Sequence, residues 1–91
     1  TWNDAYVHDL HAQNGYAYLA CIYVGEFWIL DVSALPAMTV LSRTRTPGAF
    51  CHNTGVSADD RVAVTTDESS GGRLAIWDVA DKRNPVKLSE Y

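Results

Sequence analysis

Three adjacent pairs in the chain carry side chains suited to chemistry: His8-Asp9, His52-Asn53 and Asp67-Glu68. A neutral imidazole beside a carboxylate can supply ligands to a divalent metal, or act as a general base with the group that orients it. The metal reading draws on His8, His52, Asp67 and Glu68, and Asp9 and Asn53 complete the wider ligand-binding set. These ligands come from separate turns, without HExxH or EF-hand spacing, and no GxSxG nucleophile accompanies them. A third reading is structural. His8 and His52 then bond turn backbones, Asp9 and Asn53 cap a strand start, and Asp67 and Glu68 accept amides of the following Ser-Gly loop.

Other polar residues read as parts of the framework. His11 lies three positions beyond His8, so on a strand the two point to opposite faces. Asp31 and Asp78 each follow an apolar run and precede a loop, as turn-closing acceptors do. Arg43, Arg45 and Arg73 read as solvated strand ends. Cys21 and Cys51 sit in apolar runs at no motif spacing, which predicts free, buried thiols.

For the three pairs to meet, separate parts of the chain must come together, and a repeat provides for this. "AYVHD" (5–9) recurs as "AFCHN" (49–53), and "WILDVS" (28–33) as "AIWDVA" (75–80). The similarities define two units of about 45 residues, 1–46 and 47–91. Each reads as four β-type runs with no helical period. They are "AYVHDLHA", "YAYLACIY", "FWILDVS" and "MTVLSRT", then "AFCHNTGVS", "RVAVTTD", "RLAIWDVA" and "VKLSEY". Asn14-Gly15 is a hairpin dipeptide requiring positive φ. Gly25-Glu26, the Pro36 loop, Asp59-Asp60, Ser70-Gly71-Gly72 and Asn84-Pro85 supply the other breaks.

The third run of each unit is apolar on both faces. Phe27 and Ile29 oppose Trp28, Leu30 and Val32, with Leu74, Ile76, Trp77 and Val79 as the matching set, so these strands are expected to be covered on both sides. The fold class is therefore all-β. Two four-stranded antiparallel units of about 40 to 50 residues fit β-propeller blades, part of a larger or oligomer-completed ring; a lone β-sandwich is the alternative. In a blade the start of the first strand and the end of the second share an edge. That edge brings His52-Asn53 to Asp67-Glu68, and His8-Asp9 to Tyr23 and the Gly25-Glu26 turn, around a channel mouth. The second unit offers two acids there where the first offers only Glu26. The aromatic residues are expected in the packing between blades.

"TPGAFCHNTGVSADDRVAVTTDESSGGRLAIWDVADKRNP" resembles an LVIVD repeat: a TPG turn, an A-aromatic-x-H opening, a GG-hydrophobic hairpin, an I-x-DV strand and an Asn-Pro exit follow in order. "YVHDLHAQNGYAYLACIYVG", followed by "HN" and "TTDE", is similar to the choice-of-anchor B branch of that group. The resemblance implies a propeller of several blades and an extracellular or cell-surface location. Two blades are then completed by further blades or by copies of the chain, because head-to-tail contacts close into rings when the rotation permits.

Composition narrows the function. Apolar residues make up 47% and charged ones 20% of 91 residues, as in a globular chain. A net charge of −4, from 11 acids against 7 Lys and Arg, gives no footprint for nucleic acid. No apolar run approaches the roughly 20 residues of a membrane span. A chain this short buries only about 60 to 65% of its unfolded surface, so an extended β arrangement gains from a partner. The expected function is a non-catalytic binding or scaffold module with its ligand at the channel mouth. The alternative is a metal-assisted hydrolase-type site using His52, Asp67 and Glu68 with His8 from the neighbouring unit. No motif demands a cofactor; a divalent metal is the one candidate.

Overall fold

The computed structural model describes residues 4–91, and every regular element among them is a β-strand. Strands β1 (Asp9–Gln13), β2 (Tyr16–Cys21), β3 (Glu26–Ala34) and β4 (Ala37–Arg45) form one antiparallel sheet in chain order. Strands β5 (Cys51–Val56), β6 (Val62–Asp67), β7 (Arg73–Asp78) and β8 (Val86–Glu90) form a second in the same way. The turn dipeptides explain the register. Asn14 (φ 52°) and Gly15 (φ 84°) turn the chain so that Gln13 pairs with Tyr16, the positive-φ geometry that matches strand twist in a tight hairpin. Asp31 closes its turn by accepting from the Ser33 amide (2.8 Å) and hydroxyl (2.6 Å), and Asp78 accepts from the Ala80 amide (2.9 Å).

Register also fixes which residues of the two units correspond. Tyr16 pairs with Asp31 and Val62 with Asp78, so Tyr18, Ala20, Phe27 and Ile29 correspond to Val64, Thr66, Leu74 and Ile76. The main core lies between the sheets. Tyr18, Ala20, Phe27 and Ile29 of the first sheet pack on Cys51, Ala63, Ala75, Trp77 and Val79 of the second. The Phe27 and Trp77 rings meet there at 5.0 Å between centroids, an aromatic contact across the two units. Cys21 and Cys51 are free and buried.

The outer faces differ. On the first sheet, Ala17, Leu19, Cys21, Trp28 and Leu30 form a second buried cluster under Ala5, Val7, Val32 and Val40. Arg43 is not simply a solvated strand end, since its guanidinium lies 4.5 Å above the Trp28 ring, a cation–π contact. On the second sheet, Val64, Leu74 and Ile76 are only half-buried and Val62 and Val86 are exposed. The expectation of cover on both faces thus holds for the first sheet alone among the described residues. The second sheet has spent its Trp77 side on the inter-sheet core.

Candidate functional site

Two of the three polar pairs converge where β1 and β5 begin. The His8 amide donates to the Ala20 carbonyl at 2.9 Å, placing His8 just ahead of β1. In β5 the register shifts: Cys51 pairs with Asp67 but Asn53 with Thr66, which leaves His52 as the extra residue of a bulge. A bulge re-aims a side chain relative to strict alternation. Cys51 is buried in the core, whereas the half-buried His52 ring lies 4.2 Å from the His8 ring, centroid to centroid. Glu68 is delivered to the same edge by its amide, which donates to the Phe50 carbonyl at 3.0 Å.

The hydrogen bonds at this edge form a directed chain. Asp9 can only accept while ionised, so Asn53 Nδ2 donates to Asp9 Oδ2 at 2.9 Å, and Asn53 Oδ1 faces His52 Nδ1. That oxygen accepts, so Nδ1 carries the proton. His52 Nε2 then faces Glu68 Oε2 at 2.8 Å. A proton on Nε2 makes that contact a hydrogen bond donated to the carboxylate. The His8 ring is steadied in turn by the His52 carbonyl, 3.2 Å from its Nδ1. The carbonyl accepts from Nδ1–H and leaves Nε2 with its lone pair. One ligand atom from each of His8, His52 and Glu68 lies within 4.8 Å of the others.

Asp67 does not join this group. Its side chain is buried and anchors the link between the sheets, accepting from the Thr46 hydroxyl, the Gly48 amide (3.2 Å) and the Phe50 amide (2.9 Å). The physical reason is alternation: Asp67 pairs opposite the inward-facing Cys51, so it faces inward and its neighbour Glu68 does not. Neither acid serves the Ser-Gly loop, which closes by its own backbone bond from Gly72 N to Ser69 O at 2.8 Å. In the first unit Glu26 accepts from Trp28 Nε1 at 2.9 Å, and Tyr23 packs on Tyr6 and Phe50. His11 lies away from the cluster and contacts Gln13 Oε1 through Nε2 at 2.7 Å. Burial pushes the Cys51 thiol up to about 12, with the Asp67 charge adding to it, and its side chain packs in the inter-sheet core while that of His52 turns to the edge.

A second polar cluster sits at the opposite ends of β1 and β5, and its centre, Asp60, reads in the sequence only as a turn residue. Asp60 is buried at φ 59° and accepts from Tyr18 OH (2.7 Å), Asn14 Nδ2 (2.6 Å) and Gln13 Nε2 (3.1 Å). Lys82 Nζ donates to the carbonyls of Asp60 (2.6 Å) and Val79 (2.7 Å). Burial opposes the Asp60 charge, but the bonds from Tyr18, Asn14 and Gln13 and the nearby Lys82 outweigh it and hold the carboxyl below its ordinary value. One signal in the sequence points this way: a Tyr inside a buried strand needs a partner for its hydroxyl.

No enclosed pocket opens among the described residues. No helix is long and apolar enough to cross a membrane. Comparison with family models, with curated proteins and with solved structures finds no match. The LVIVD resemblance therefore rests on its motif residues alone.

Proposed function

We propose that the chain is a non-catalytic binding or scaffold module, two blades of a β-propeller completed by further four-stranded units of the same kind. One observation carries this reading. The face formed by Val64, Thr66, Leu74 and Ile76, which the second sheet leaves half-buried, corresponds by register to the face that the first sheet packs against its neighbour. A unit that docked there as the second sheet docks on the first would repeat the existing interface and present the same half-buried face again. Such head-to-tail contacts extend until the ring closes. The strand-start edge carrying His8, Asp9, His52, Asn53 and Glu68 then lies at the channel mouth and is the ligand-binding edge. An extracellular or cell-surface location is what the family resemblance adds.

Association in solution tests the reading. Sedimentation of the chain is expected to give a closed assembly of several copies, and Ile76→Asp, which places a charge on the half-buried face, is expected to return it to the monomer. A single 10.0 kDa species with cooperative unfolding at high concentration would favour the lone sandwich instead.

A further inference from the structure

We propose that the ligand of the strand-start edge is a divalent transition-metal ion, held by a ring nitrogen of His8, Nε2 of His52 and the carboxylate of Glu68. The inference rests on reading that edge as the binding edge, and it names what binds there. Three features support it. The three ligand atoms already lie within 4.8 Å of one another, and ligands around a tetrahedral zinc stand about 3.3 Å apart. The adjustment needed is side-chain motion alone, at residues with room to make it: the Glu68 side chain is 61% exposed and that of His52 33%. The directed chain Asp9–Asn53–His52 is the outer support a metal-bound histidine requires, since it keeps a proton on Nδ1 and turns Nε2 toward Glu68. Finally, Nε2 of His52 and Oε2 of Glu68 already face each other at 2.8 Å, so two of the three ligand atoms are aimed at one point; an arriving cation takes the place of the proton of that contact, which leaves to solvent.

The donor set selects the class of ion. Two imidazoles and one carboxylate suit zinc, cobalt, nickel or copper better than calcium or magnesium, which prefer all-oxygen shells. Three protein ligands leave a coordination position open to water or to an anionic group of a partner. The two histidines come from corresponding positions of the two units, so the site exists only where one unit meets the next. In a longer array the same junction would recur wherever a unit carries both the histidine and the carboxylate of the Glu68 position.

The test uses the intact chain with Co²⁺ and Zn²⁺ as probes. Co²⁺ is expected to give visible ligand-field bands, with proton release on binding seen in calorimetry across buffers of different ionisation enthalpy. His8→Ala, His52→Ala and Glu68→Gln should each weaken Co²⁺ binding at least tenfold. Asn53→Ala, which removes only the outer support, should weaken it about 10- to 100-fold. His11→Ala, outside the cluster, should leave it unchanged. Absent Co²⁺ bands, or affinity that survives His52→Ala, would overturn the metal site. Sedimentation of the same samples separates the two readings: a metal-free assembly leaves the propeller standing without its ion, and a metal-binding monomer leaves the ion without the propeller.

Discussion

Two polar clusters fasten the sheets to each other at opposite ends of the β1–β5 seam, and they are built on opposite principles. At one end Asp60 is buried, and it takes bonds from Gln13, Asn14 and Tyr18. At the other, His8, Asp9, His52, Asn53 and Glu68 are exposed or half-buried, and Nε2 of His52 faces a carboxylate. A buried charge is tolerable only when its bonding capacity is filled, and a filled carboxylate has nothing left to offer a ligand. An exposed cluster is stabilised by water whether or not it binds anything, so it can keep lone pairs in reserve. Asp60 is therefore occupied by the fold, and the histidine edge keeps the lone pairs that the proposed ion would use.

The sharpest way to break this contrast is Asp60→Ala. It strands the buried Tyr18 hydroxyl and removes a charged acceptor, at about 3 kcal/mol or more in urea unfolding. Against the 5 to 15 kcal/mol typical of a whole domain, that loss is large. A loss within about 0.5 kcal/mol, the usual range at exposed sites, would erase the distinction. The pH dependence follows from the same group. Because the folded Asp60 carboxyl sits below its ordinary value, its contribution is complete above the unfolded value of about 3.9 and is lost as pH falls through the folded value. Asp60→Asn should be less stable at neutral pH and lose less stability on acidification. The slope flattens without vanishing, because Asp31, Asp59 and Glu90 are lowered as well.

Asp67 sharpens the comparison from within one dipeptide. It is a folding residue of the Asp60 kind, holding Thr46, Gly48 and Phe50, while Glu68 one position on faces His52 at the edge proposed to bind the ion. Asp67→Ala is expected to cost about 2 kcal/mol through the amides and hydroxyl left without an acceptor. It should leave Co²⁺ affinity unchanged, measured on the folded fraction. Tyr18→Phe is a smaller step, removing one bond to a charged acceptor at about 1.5 kcal/mol.

Much of the fold is legible in the chain because its signals are local. Asn14-Gly15 sets a hairpin, the Ser-Gly loop separates β6 from β7, and the run "FWILDVS" marks a strand buried on both faces. The histidine pair is legible too, since His8 and His52 occupy the same position of a repeat. What the sequence conceals depends on one residue of register. The bulge at His52 sends that side chain to the edge and leaves Asp67, an apparent partner, facing the interior. Nothing in "CHNTGV" announces a bulge. Asp60 is hidden for a different reason: a turn-forming Asp and a buried hub have the same local pattern, and only the contact with Tyr18 across the seam distinguishes them.

The smallest expected effect probes the other half of the contrast. Glu68→Gln removes the carboxylate from His52 at a position 61% exposed, where ion pairs contribute about 0 to 1 kcal/mol. Its stability cost should be near the lower end and should shrink further as salt is raised, since at 1 M the screening length is about 3 Å. The same substitution should weaken Co²⁺ binding at least tenfold. Small stability loss with large binding loss is the signature of a residue kept for its ligand. A loss of about 2 kcal/mol that persists in high salt would instead place Glu68 with Asp60 and Asp67 among the anchors, and the two ends of the seam would no longer differ in kind.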